Sequence, residues 1–583
     1  MRGRRRRLRT ILTVMLVGCA ASWPAGPLTA CTTLMAGRQA SEGGAVLMSS
    51  SCDGDIMGVM YVMPSQEYAE GTRLPMYRNL PRPATYAEYL AHVRKGYDHV
   101  GSLPVSKTHR TIILAGNIES MTTGGMNEFG LTIAIEYIPM RPGLACARGA
   151  VGPNSNHWTT SLIANGLMRA RTARQAIQLI GAMVEEYGFL YYRAPAAGVA
   201  LPIADAREVW LMEIFGPGAG WSAGCGKPGG VWCAQRIPDG EVGCSANRSR
   251  IGRVDISNSK DFLASPNLFS LAAELGFWEE GQPFVWHDVY GMPGSRGNCL
   301  REWRALSLVA PSLGLKASGD PRADRYPFSV KPDRPITVRS LMSIMRDGYQ
   351  GTQFDITEQA AFQVEGTKSP LARPWGPPEL FDLLRIRPER AIGTPTSGYV
   401  FVAQLRDRMP AAIGNCLWFA YGPAYTSCFV PVYAGVTDLP DSWEQPADFT
   451  RINRDQAQWN FRLVYSLANN LRYQDAVGDI QKVILPAEER FLAAQPEFER
   501  AAAGAFQRGG ARGAEALATE YAGQCLQQVG YAYRELVDYL MFRYLLSDAE
   551  VAPPALPCIA APVLPALRSA AAEGKAPAPG MAQ

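Results

Sequence analysis

Apolar residues come in short runs over the first part of this chain and at helical spacing over the last part. Residues 31–36 and 45–50 form two such runs around a polar, glycine-bearing stretch at 37–44, which predicts two strands joined by a turn. Residues 110–118 and 130–138 predict a second pair, joined by a link containing Thr122, Thr123, Gly124, Gly125 and Asn127. Between 157 and 188 the period becomes helical. There Thr172 and Gln175 predict a capping box ahead of Ala176, Ile177, Leu179, Ile180, Met183 and Val184. Strands resume at 198–203, 209–215, 230–237 and 241–245. Strands, then helices, then strands, without strict alternation, predict an α+β fold with antiparallel sheets rather than a parallel doubly wound one. From Trp459 onward, "WNFRLVYSLANNLRYQDAVGDIQKVILPAEERFLAAQ" and "AEALATEYAGQCLQQVGYAYRELVDYLMFRYLL" place apolar residues three and four apart and predict helices. The Ala-, Pro- and Gly-rich sequence after Val551 predicts a loose tail.

The amino terminus changes the meaning of this pattern. Arginines at 2 and 4–7, an apolar stretch at 11–21 and small residues ending in Ala30 have the layout of a secretory signal peptide over residues 1–30. The apolar stretch is too short to span a membrane. Cleavage after Ala30 makes Cys31 the first residue of the mature chain. Leu16, Val17, Gly18 and Cys19 offer a second reading, a lipobox that would leave a lipid anchor on Cys19, and the arginine run loosely fits a twin-arginine signal. Each reading exports the protein, to the periplasm or the medium, or to a membrane surface through Cys19.

With 583 residues, 47% of them apolar and 19% charged, the chain has material for a large core. The formal charge of +4 includes six leader arginines, so the remainder stands near −2, and nothing suggests a nucleic-acid partner. Of the twelve cysteines, Cys19 lies in the leader. Setting Cys31 aside leaves an even number, able to pair in an oxidising compartment or to sit in the core as small apolar groups.

If the first two strands form a hairpin centred near Ser41, residues whose numbers add to 82 or 84 face one another. Cys31 then lies opposite residues 51–53, where the apolar run gives way to Ser49, Ser50, Ser51, Cys52 and Asp53. A terminal cysteine carries its own base, because its α-amine titrates near pH 7.7–8.0 and can take the thiol proton. Asp53 is placed to orient that amine, which completes nucleophile, base and orienter. Pairing of Cys31 with Cys52 in a disulfide is the competing reading, and the residues alone do not separate the two.

Other nucleophiles fit less well. Gly220, Trp221, Ser222, Ala223 and Gly224 spell G-x-S-x-G, but Cys225, Gly226, Lys227 and Pro228 follow where a nucleophile elbow needs a helix. Ser257 to Lys260 match S-x-x-K without a supporting second motif. The five histidines, His92, His99, His109, His157 and His287, include no close metal-ligand pair, so a zinc peptidase is not indicated.

Seven segments occur in the order found in one group of enzymes: "CTTLMAGRQASEGGAVLMSSSCDGD", "GGMNEFGLTIAIEY", "EVWLMEIFG", "WCAQRIPDGEVGCSANRSRI", "LREWRALSLVAPSL", "YQGTQFDIT" and "VAQLRDRMPAAIGNCLWFAYGPAYTSCFVPVYAG". On these segments the chain resembles the dipeptidase-type cysteine peptidases of the N-terminal nucleophile hydrolases, related to choloylglycine hydrolase and penicillin V acylase. The resemblance implies a four-layer αββα sandwich of two antiparallel sheets over 31–455 and a helical region over 456–550, ahead of the tail that composition places at 551–583. It implies Cys31 as nucleophile, Asp53 beside its amine, Asn247 as a donor to the oxyanion and Arg301 as a support for the nucleophile. It also implies a dipeptide or small-peptide substrate, no metal or organic cofactor, and room for a homo-oligomer. This chain departs from many relatives in having Ser50, Ser51 and Cys52 where they carry an Arg-Asn pair. Glu136 and Tyr137 stand where acylase relatives place an asparagine, which favours a substrate with a free amine. An N-acyl amide hydrolase on the same fold and an inactive exported binding protein with Cys31 in a disulfide remain the alternatives.

Overall fold

Two antiparallel sheets share one apolar interior in the computed structural model, which describes residues 31–54, 58–77, 99–115, 122–146, 158–189, 197–376, 378–444, 451–547 and 551–554. The first sheet has seven strands in the order Ser329–Val330, Val242–Ser245, Thr33–Ala36, Val46–Asp53, Ser397–Leu405, Cys416–Tyr421 and Val430–Tyr433. Its centre is the hairpin of Thr33–Ala36 and Val46–Asp53. The turn passes through Gly43 and Gly44 at φ 66° and 68°, the left-handed region in which a residue without Cβ is unstrained. Thr33 faces Ser50, Leu34 faces Ser49 and Met35 faces Met48, so paired numbers add to 83, between the two predicted sums.

The second sheet has nine strands. Eight run in the order Phe262–Ala264, Val231–Arg236, Val209–Phe215, Ala197–Ala204, Thr132–Ile133, Gly124–Asn127, Thr111–Ala115 and Val59–Met63, and Glu136–Pro139 also pairs with Ala197–Ala204. Successive side chains of a strand point to opposite faces. Accordingly Ile112 and Leu114 join Leu34, Met48 and Leu211 in the core between the sheets. Ile113 turns the other way and packs with Leu162, Leu167, Ile177 and Ile180 of helices Trp158–Arg169 and Ala173–Tyr187. Helices Arg296–Val309 and Val338–Met345 pack against the first sheet.

The helical end of the chain is Ala457–Asn470 and the long run Tyr473–Met541, which is interrupted at Gly510. The halves fold back on each other there, with Phe498 stacked on Tyr521 at 4.2 Å between ring centroids. Tyr433 meets Phe498 at 4.6 Å and Arg406 meets Glu499 at 2.6 Å, which fastens the pair to the edge of the first sheet.

Four expectations are corrected. The link at 122–127 contains a strand, Gly124–Asn127, because neighbours on both sides supply its hydrogen bonds. The run at 130–138 is split into Thr132–Ile133 and Glu136–Pro139. The ten described cysteines are all free thiols, eight of them buried, so the pairing that an even count suggested is not formed among the described residues. The eight buried ones sit in the interior as small side chains. The Thr172 hydroxyl does accept from the Gln175 amide at 3.3 Å, but the Gln175 side chain bonds Arg171 rather than completing the box. The leader, Cys19, His92 and His157 lie outside the described residues, and among the described ones no helix is long and apolar enough to cross a membrane.

Candidate active site

The site grows from the open end of the central hairpin. The Ser51 amide donates to the Thr32 carbonyl at 3.1 Å, and the Thr32 amide donates to Ser51 Oγ at 3.1 Å. The same register places Cys52 opposite Cys31. Cys31 is 2% exposed. Its thiol is held well above the ordinary thiol range by a hydrogen bond with Cys52 and by burial, with Asp53 adding to the effect. Both cysteines are free, so the competing disulfide between them is not formed.

Asp53 ends its strand at an irregularity in the ladder and is buried. Its Oδ1 accepts from Ser397 Oγ at 2.5 Å; its Oδ2 accepts from Ser51 Oγ at 3.1 Å and from Arg390 Nη2 at 2.6 Å. Burial pushes this carboxyl above its ordinary range, opposed by Arg390, Ser397, Arg301 and Ser51.

Arg301, on helix Arg296–Val309, is 1% exposed and is no surface ion-pair residue. All five of its N–H groups find acceptors. Nη1 donates to the Cys31 carbonyl at 2.6 Å and to Thr32 Oγ1 at 2.8 Å. Nη2 donates to the Ala246 carbonyl at 3.2 Å and to Asn247 Oδ1 at 3.0 Å, and Nε to the Gly297 carbonyl at 2.9 Å. Burial lowers its pKa to about 10, assisted by repulsion from Arg390. One planar fork thus fixes the Cys31 backbone and the Asn247 amide relative to each other.

Asn247 sits at φ 63°, an uncommon conformation for a residue with a Cβ, held by a buried frame. Its backbone N–H donates to Glu136 Oε2 at 3.1 Å and its Nδ2 to the Tyr137 carbonyl at 2.9 Å. Asn298 Nδ2 donates to the carbonyls of Ala246 and Asn247 at 2.7 and 3.1 Å. Beyond it, Arg248 and Arg250 converge on the fully buried Glu302, at 2.7 and 3.0 Å. Glu213 accepts from Arg250 N at 2.6 Å and from Trp286 Nε1 at 2.7 Å. Each buried acid meets several donors, so the loop 246–251 is held from every side.

Glu136 is fully enclosed between the sheets and accepts from Ser245 Oγ at 2.7 Å as well as from Asn247. Burial raises its carboxyl to about 7. Tyr137 is half-buried and enters the site through its carbonyl. Of the predicted residues, Cys31, Asp53, Asn247, Arg301, Glu136 and Tyr137 therefore meet in one region. Ser222 stands in an exposed turn with no helix after it, and Ser257 bonds its neighbour Asp255 at 2.6 Å on the surface. His109 meets Glu128 and Phe129, and His287 meets Asp288 and Arg325.

Arg390, Asn298, Glu302 and Glu213 were not visible as site residues in the sequence. Glu302 had a signal, since it follows Arg301 directly and faces the charged pair in "NRSR". Arg390 had none: it reaches Asp53 from an irregular segment 337 residues away.

Known proteins resemble the chain over most of this structure. A probable dipeptidase of Salmonella dublin is 24% identical over 419 residues, covering 70% of this chain and 82% of its own. A dipeptidase of Bifidobacterium longum is 23% identical over 497 residues, covering 80% and 83%. Dipeptidase A of Lactobacillus helveticus is 22% identical over 452 residues, covering 76% and 82%. Residues 30–485 match peptidase family C69, and the chain belongs to that family of dipeptidase-like cysteine peptidases.

Proposed function

We propose that the protein is an exported dipeptidase whose nucleophile is the thiol of Cys31, freed as the amino-terminal residue by cleavage after Ala30. The observation that carries this reading is the Arg301 fork, which binds the Cys31 carbonyl and the Asn247 side chain together. Such a clamp serves a nucleophile and an oxyanion donor that must hold one geometry. The two packed sheets with helices on either side fit the αββα sandwich of N-terminal nucleophile hydrolases, with the domain beginning at Cys31.

In this mechanism the neutral amine of Cys31 takes the thiol proton and the sulfur attacks the scissile carbonyl. Asn247 Nδ2 donates to the developing oxyanion. The amine then protonates the departing nitrogen, and water releases the acyl group from the thioester. Before cleavage the residue has no free amine, and contact with Cys52, burial and Asp53 all hold the thiol protonated. Freeing an ammonium beside the sulfur opposes these effects, so activity is gained on processing. Glu136, expected from the sequence to meet a substrate's free amine, is enclosed and bonded to Ser245 and Asn247, so its part is to hold the Asn247 loop. The preference for dipeptides over N-acylated amides rests on the family, and equal turnover of free and N-acetylated dipeptides would remove it.

The test is amino-terminal sequencing of the mature enzyme together with Cys31→Ser and Cys31→Ala. The reading expects Cys31 at the first position, trapping of an acyl group there by mass spectrometry, and turnover lost in Cys31→Ala. A mature chain with residue 31 still joined to residue 30 and fully active would refute it.

A further inference from the structure

Asp53 has two guanidinium groups nearby, and they are not equivalent. Arg301 spends all five N–H groups on the Cys31, Ala246 and Gly297 carbonyls, Thr32 Oγ1 and Asn247 Oδ1, and gives none to Asp53. Arg390 Nη2 lies 2.6 Å from Asp53 Oδ2, the one ion pair to this carboxylate among the described residues. The segment that carries Arg390 is pinned beside the site. Tyr349 Oη donates to the Arg390 carbonyl at 2.7 Å, Arg390 Nη1 donates to Thr394 Oγ1 at 3.2 Å, and the preceding Glu389 pairs with Arg296 at 2.5 Å. Arg296 opens the helix that bears Arg301, so one element positions both guanidiniums.

We propose that Arg390 is a positioning residue for the reaction: it holds the Asp53 carboxylate ionised and aimed at the freed amine of Cys31. The proposal rests on the reading of Cys31 given above. The Ser50–Cys52 stretch carries no cation, so the positive charge for this carboxylate arrives from a distant segment instead of from its own strand. The groups facing Asp53 are Arg390, Arg301, the thiol of Cys31, and the hydroxyls of Ser51 and Ser397. Within that set Arg390 is the member whose removal leaves a buried carboxylate without its contacting cation. Such a carboxylate takes up a proton at higher pH. Loss of a nearby positive charge also makes the Cys31 amine hold its proton longer, and the amine must be neutral to accept the thiol proton. Both effects move in the same direction.

The experiment is the pH dependence of kcat/KM for dipeptide hydrolysis by the mature enzyme and by Arg390→Met and Arg390→Lys. Removing a contacting opposite charge raises a carboxyl pKa by about one to three units, so the acid limb of Arg390→Met should move up by that much, at about tenfold in rate per unit. Arg390→Lys, which keeps the charge, should leave the limb near its wild-type position. In an Asp53→Asn background, Arg390→Met should move the limb less than it does with Asp53 present. An Arg390→Met enzyme with lowered rate and an unmoved profile overturns the proposal, as does an Arg390→Lys limb displaced as far as that of Arg390→Met. Failure of the underlying reading looks different, because Cys31→Ala would then retain turnover.

Discussion

Glu136→Gln offers a quantitative test of the layer between the sheets. Complete burial holds the Glu136 carboxyl up to about 7, against an ordinary value of 4.5. Between those values the folded chain keeps a proton that the unfolded chain has released. Stability from this group is therefore full below about pH 4.5 and is lost as pH rises through about 7. At 1.36 kcal/mol per pH unit the loss reaches about 3 kcal/mol by pH 8. Glutamine preserves the shape and the acceptor: its carbonyl, in the place of Oε2, still receives Ser245 Oγ and the Asn247 amide. It cannot ionise, so its contribution has no such slope. Urea unfolding of both proteins, followed by tryptophan fluorescence from about pH 5 to about pH 8, should show the variant gaining on the wild type toward about 3 kcal/mol. Asp53, Glu213 and Glu488 are also raised by burial, but they are common to both proteins and cancel in the difference. Parallel stability curves, or a variant that loses ground as pH rises, would refute the enclosed, protonatable state of Glu136.

Two further outcomes separate the site from its alternatives. Asn247→Gly removes the amide while suiting φ 63°, so it should be the more stable by about 1 kcal/mol compared with Asn247→Ala, whose Cβ is strained there. Both should lose about a hundredfold to a thousandfold in kcat, the worth of one oxyanion donor, and full turnover in a well-folded Asn247→Gly would exclude that role. Ser222→Ala should leave turnover and melting temperature unchanged, because Ser222 is exposed and no helix follows it; loss of activity would move the nucleophile to the G-x-S-x-G turn.

The clearest parts of the chain to read were those whose causes are local. The hairpin around Gly43 and Gly44 follows from two apolar runs and a turn that needs positive φ, and its register fell between the two expected sums. The apolar run at 209–215 has the bounds of the strand Val209–Phe215. Gly124–Asn127 has the local pattern of a link because two glycines weaken any strand signal. Their reason is tertiary: a Cβ on Gly125 would lie 2.3 Å from the Ile112 carbonyl oxygen, so the close approach of the neighbouring strand requires glycine. Arg301 is marked in the sequence only by the family resemblance, since nothing local shows that its side chain is enclosed, where it satisfies five acceptors contributed by three separate segments.

By itself, the sequence determined the alternation that makes strands, the spacing that makes the late helices, and the polar run from Ser49 to Asp53 facing Cys31. These depend on neighbours within a few residues, whose periodicity is written directly in the chain. Tertiary structure alone decided that Arg390 meets Asp53, that Glu136 lies behind Asn247, and that Glu213 and Glu302 fasten the loop 246–251. The physical reason is that a buried charge must find its donors wherever packing brings them, and packing joins segments hundreds of residues apart with no trace in the local pattern.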